Sequence, residues 1–182
     1  YNFTTEWVGW DYDPRTHQFE ACFKFEQNLT ESEWFHQERY AVGNIFWISI
    51  AADYPAGTTP QFPWGWKTRP RDPLSPAPDD AVRIFNPTAP TLGSQYTKGE
   101  PIYWPDPRNS WDLAFELTSK HVPTDIKWDQ PPQKDPQGGN YFWGWDEPSI
   151  YGKTAAASYP IVADDWRCID QRPVSDIHWW GS

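Results

Sequence analysis

A chain of 182 residues holds enough material for one large domain or two small ones, and it needs neither a metal nor many disulfides to bury a core. A formal net charge of −10 repels phosphate backbones and excludes nucleic acid as a partner, and no run of about 18 apolar residues is present to span a membrane. Apolar surface sits in 14 Trp, 9 Tyr and 10 Phe, while 20 Pro and 11 Gly interrupt the chain too often for long helices.

In chain order, EWVGW and FEACFKF read as two strands joined by the turn DYDPRTH. Strict alternation puts Trp7, Gly9 and Asp11 on one face of the first strand, with Val8 and Trp10 on the other. It also puts Cys22 on the more polar face of the second. ESEWFHQE has room for one helical turn. NIFWISIAADY is apolar on both faces and is expected at the centre of a sheet. A loop, then FPWGWKTRP, then a Pro/Asp-rich loop lead to the short strand AVRIF. Residues 86–106 read mostly as loop, interrupted by PIYW, and SWDLAFEL alternates as a strand. The expected organisation is a β-sandwich core over 1–121 and a linker-like loop over 122–140. Over 141–182, a C-terminal segment with the strands IVADDWRCI and VSDIHWWGS completes the same or a neighbouring sandwich. The fold class that follows is all-β: a jelly-roll-like antiparallel sandwich with long Pro/Gly loops and little helix.

GWDYDP, FWISIAADYP, WGWKTRP, SWDLAFEL, KWDQPP, GWDEP, VADDWRC and PVSDIHWWGS together resemble an uncharacterised domain recurring in large secreted proteins of planctomycete-type bacteria. The resemblance implies an extracellular or cell-surface location and names no activity. It also implies an inverted order, with the KWDQPP to HWWGS block preceding GWDYDP in the family unit. The chain, lacking an initiator Met, is therefore expected to be processed or cut from a longer protein.

Four groups of residues are candidates for function. Trp64 and Trp66 flank Gly65, and Trp143 and Trp145 flank Gly144; in a strand each pair shares a face and forms a flat platform for a sugar, or packs in the core. Asp11, Asp13, Asp164 and Asp165 are carboxylates of the kind that hold Ca²⁺, or else solvated turn residues. Cys22 and Cys168 are far apart in sequence, and a disulfide between them would stabilise by about 4–5 kcal/mol; two buried free thiols are the alternative. Asn2 and Asn28 begin N-glycosylation sequons. No HExxH, GxSxG or P-loop motif is present, so no enzyme class is supported.

Ile177, His178, Trp179 and Trp180 form an apolar strand at the chain end, in which only one of the two tryptophans can face a core. An unpaired strand of this kind suits strand exchange with another copy, head to tail. The leading expectation is therefore a non-catalytic structural subunit of an extracellular fibre whose partners are copies of itself. The alternative is a carbohydrate-binding module that takes polysaccharide on its tryptophans.

Overall fold

Short aromatic and β-branched runs, each stopped by Pro, Gly or Asp, favour strands over helices, and a computed structural model of the protein is an all-β sandwich. It describes residues 2–37, 44–55, 57–58, 60–77, 79–85, 96, 98–104, 108–120, 125–151, 159–168 and 170–182. Most of the loop expected over 86–106 lies outside them.

Among the described residues the strands are β1 (Thr4–Asp13), β2 (Gln18–Asn28), β3 (Ile45–Ser49), β4 (Ala52–Asp53), β5 (Gly65–Pro70), β6 (Val82–Ile84), β7 (Glu100–Pro101), β8 (Trp111–Leu113), β9 (Phe115–Ser119), β10 (Asp125–Gln130), β11 (Phe142–Trp143), β12 (Asp146–Pro148), β13 (Ile150–Tyr151), β14 (Ile161–Arg167) and β15 (Asp176–Gly181). One 3₁₀ turn, Glu31–Glu33, stands where a helical turn was expected. The main sheet runs β10, β9, β15, β2, β1, β11, and β5 joins it at β15 while pairing with β8 and β12. A smaller sheet runs β3, β14, β6, β7.

The principal core fills the space between the two sheets. Trp66, Trp111, Phe115, Leu117, Trp128 and Trp179 on the main-sheet side meet Val162 and Trp166 of β14, with Phe46 and Ile48 of β3 packed alongside. Aromatic rings bury large areas and interlock at an angle, so few residues fill this space. A second cluster, Val82, Ile84, Ile161 and Ala163, collects Trp47 and Tyr96; a third gathers Cys22, Ala114 and Trp180 with Val8 and Phe142.

Several expectations are corrected. Among the described residues β3 pairs with β14 alone, at the edge of its sheet; it is apolar on both faces because Phe46 and Ile48 reach the principal core while Trp47 reaches the second cluster. The 122–140 stretch is not a linker: Asp125–Gln130 is β10, paired with β9. β15 lies inside its own chain's sheet, between β2 and β9, so the last strand is not an open connector. Both its tryptophans are buried, because a strand covered on both faces sends Trp179 to the principal core and Trp180 to the third cluster. Gly181 is required there: a Cβ would stand 2.1 Å from the Gly65 carbonyl oxygen.

Candidate functional site

β1 carries a bulge that strict alternation misses. The β1–β2 register shifts between Trp7 and Gly9, so Trp7 pairs with Phe23 and Trp10 with Ala21. Trp7 and Trp10 therefore meet edge to face, with ring centres 6.2 Å apart. Further along the same face, Tyr12 lies opposite Phe19 and stacks on Trp143 of the parallel neighbour β11 at 5.5 Å. Tyr141 touches both Tyr12 and Phe19. The Tyr12 hydroxyl and His17 Nδ1 share a hydrogen bond of 2.7 Å. Trp7, Trp10 and Phe19 remain 54%, 50% and 56% exposed, a density of open aromatic surface that a monomer's solubility does not require.

Trp143 connects this face to a cleft of about 490 Å³. The half-buried Trp104 and Trp143 supply its rings, with the edge of the buried Trp111 between them at its lining; Arg71, Arg108, Asn109 and Ser110 supply polar groups. Two contacts fix the Trp111 ring: its indole N–H donates to the Trp104 carbonyl at 2.8 Å, and it leans on Trp145 at 4.6 Å. The Trp143 backbone N–H donates to the Gln133 carbonyl at 2.8 Å. Arg71 pairs with Asp80 at the rim. A concave, ring-lined site with a few polar groups is the common form of a small-ligand site, and flat rings beside guanidinium and amide donors match the C–H faces and hydroxyls of a sugar.

The structure separates the four tryptophans singled out in the sequence. Trp66 and Trp145 have no exposed surface. The indole N–H of Trp66 donates to the Ala114 carbonyl, and that of Trp145 to the Glu147 carboxylate, each at 2.8 Å. Trp64 precedes β5 and packs edge-on to Phe25, leaving Trp143 as the member that lines the cleft. The Gly144 pair does not form a platform because extended geometry is lost at that glycine, and the Gly65 pair does not because Trp64 lies outside the strand that buries Trp66. Gly65 is the first residue of its strand, and Gly144 takes φ +128°, where a Cβ would stand 2.6 Å from the Thr68 carbonyl. Trp104, Trp111, Trp7, Trp10 and Tyr12 were not among the functional candidates read from the sequence. Their signal is the spacing of three between Trp7 and Trp10 across a glycine, and the pair of tryptophans bracketing 105–110.

The acidic residues do not converge on a cation. Asp11 contacts Lys67, and Asp13 is held by Arg15. The Asp164 carboxylate accepts from the Leu113 and Asp165 backbone N–H groups and from the Gln130 amide, while Asp165 accepts from the Asp79 N–H. Among the described residues no group of three or more His, Cys, Asp or Glu side chains is placed to hold a metal ion. Burial pushes Asp112 up to about 7 and Asp165 up to about 6. The same cause, with the Asp112 charge behind it, raises Asp164 well above the carboxylate range. Asp164 and Asp165 are structural acceptors inside the sandwich.

The expected disulfide is absent: Cys22 and Cys168 are free and buried. They belong to different clusters, Cys168 to the principal core and Cys22 to the third. The Cys168 thiol is turned to the Asp170 carbonyl at 2.7 Å, and burial raises the Cys22 thiol far above its ordinary value. Asn2 and Asn28 are exposed. Ile177, His178, Trp179 and Trp180 are occupied within β15, with His178 Nδ1 3.0 Å from Glu116. No described helix is long and apolar enough to cross a membrane.

No curated protein and no solved structure matches the chain. A family model matches residues 2–118 and 126–182, and the chain belongs to that family, described as Domain of unknown function (DUF7901).

Proposed function

We propose that this domain is a non-catalytic carbohydrate-binding module that works outside the cell and takes a polysaccharide chain across the Trp104–Trp111–Trp143 cleft and the adjoining Trp10–Tyr12–Phe19 face. The observation that carries this reading is the three-tryptophan cleft with Arg71, Arg108 and Asn109 at its wall, continuous through Trp143 with an open aromatic surface. The net charge of −10 favours neutral or cationic glycans over sulfated ones. Fibre formation by exchange of the last strand loses its motive, since both edges of β15 are paired within the chain. Self-association through the aromatic face is the competing reading, because the same rings suit a second copy.

Affinity electrophoresis against a panel of xylan, glucan, mannan and chitosan separates the two. Retardation by at least one polysaccharide is expected, weakened roughly 10-fold or more in Trp143→Ala and in Trp104→Ala, as the loss of about 1.5–3 kcal/mol of ring burial dictates. Absence of retardation across the panel, or binding indifferent to both substitutions, rejects the cleft.

A further inference from the structure

Three buried groups outside the cleft meet where β1, β5 and β12 come together. Asp11 projects from β1 on the face opposite Tyr12, Lys67 from β5 and Asp146 from β12. Lys67 Nζ lies 2.9 Å from Asp11 Oδ2, and neither side chain has any exposed surface. Asp146 stands directly across from Lys67 in the antiparallel β12–β5 pairing, the position where side chains of opposite strands touch. Both Asp146 oxygens are sealed from solvent. Close as they are, none of Lys67 Nζ, the Asp11 oxygens and the Asp146 oxygens meets a partner at full hydrogen-bond geometry among the described residues; Lys67 acts on Asp11, and Ser182 on Asp146, outside it.

As an ion pair this arrangement is poor. Burying two charges costs several kcal/mol each, offset only when the remaining lone pairs and protons are bonded, and here they are not at full geometry. An amide between the same atoms removes both charges. It needs no oxidant and no cofactor, and it forms best where an amine and a carboxyl are held in contact without water, the condition under which effective molarities reach roughly 10⁵–10⁸ M.

We propose that Lys67 and Asp11 join through an intramolecular isopeptide bond, Lys67 Nζ to Asp11 Cγ, with Asp146 relaying the protons. Burial, and behind it the Asp11 charge, holds Asp146 well above the carboxylate range, so it enters as the neutral acid; burial raises Asp11 as well. The step balances. The Lys67 ammonium passes a proton to Asp11, and the free amine adds to the neutral Asp11 carboxyl carbon. Asp146 then protonates the departing hydroxyl and recovers a proton from the nitrogen. One C–N bond forms, one C–O bond breaks, one water leaves, and Asp146 is regenerated. The new bond ties the β1–β2 hairpin to β5, the strand that carries β8 and β12.

The test is the intact mass of the full 182-residue chain under denaturing conditions. The wild type is expected to be lighter than its sequence by one water, with a proteolytic fragment in which the Asp11 peptide is joined to the Lys67 peptide. Lys67→Arg and Asp146→Asn are each expected to restore the full sequence mass. A wild-type chain at full mass overturns the proposal even if neither variant folds, and so does a water loss that persists in Lys67→Arg. A cross-link formed at an unchanged rate in Asp146→Asn overturns the relay.

Discussion

Asp112 gives the sandwich an unusual response to pH. Burial raises its carboxyl from 3.8 to about 7, only partly countered by Arg71 and Arg69, so the folded chain holds this proton more tightly than the unfolded chain does. Its contribution to stability is therefore complete below the unfolded value near 4 and is lost as pH rises through about 7. Asp165 acts in the same direction up to about 6. Asp170 opposes them: its hydrogen bond to Arg172, and then that to Lys127, holds it below the usual range, so its contribution is lost as pH falls below about 4. The melting temperature should rise between about pH 8 and pH 5.5, by roughly 2–4 °C for each kcal/mol regained. In Asp112→Asn that rise should shrink. An unchanged slope in the variant would remove Asp112 as its source. At this scale the sequence was legible in kind but not in place. It shows that tryptophan is the chain's main apolar residue, yet the bulge at Val8–Gly9 reverses which face Trp7 takes. Burial of Trp66 and Trp145 depends on strands far away in sequence.

Among the elements, β15 holds the central place. It pairs β2 on one side and β9 on the other, touches β5 at Gly181, and sends Trp179 and Trp180 into two different clusters. Deleting residues 177–182 should leave no cooperatively folded chain by circular dichroism, since the loss includes two buried tryptophans at about 3–5 kcal/mol each. A truncated chain that melts like the full one would contradict this placement. A narrower test falls on Gly144, where φ of +128° and the nearby Thr68 carbonyl leave no room for a side chain. Gly144→Ala should cost about 1–3 kcal/mol in denaturant titration, and a neutral result would show that the β11–β12 corner adopts another backbone. Strands with a regular alternation could be read from it, as β2 and β8 show. β10 was hidden because its polar positions are buried: Lys127 is enclosed and bonded to Asp170, and Gln130 to the Leu113 carbonyl. Local polarity mimicked a linker where distant partners had already satisfied the polar groups.

For the molecule as a whole, the all-β sandwich was legible because its breakers and aromatics are spread along the entire chain. The cysteines were not, because residue spacing does not tell which face of a sheet each will occupy. With both thiols free, a reducing agent should leave the melting temperature unchanged; a fall of several degrees would reveal a cross-link between Cys22 and Cys168. The open aromatic surface still demands an occupant, and glycan and second copy make opposite demands on mass. Sedimentation velocity of the wild-type chain at rising concentration, alone and with the soluble polysaccharide that retards it, weighs both directly. Expected are a single monomeric boundary without sugar and a faster boundary with it, the latter absent in Trp104→Ala. Self-association without sugar, together with no shift in its presence, would contradict the assignment of these rings to a carbohydrate.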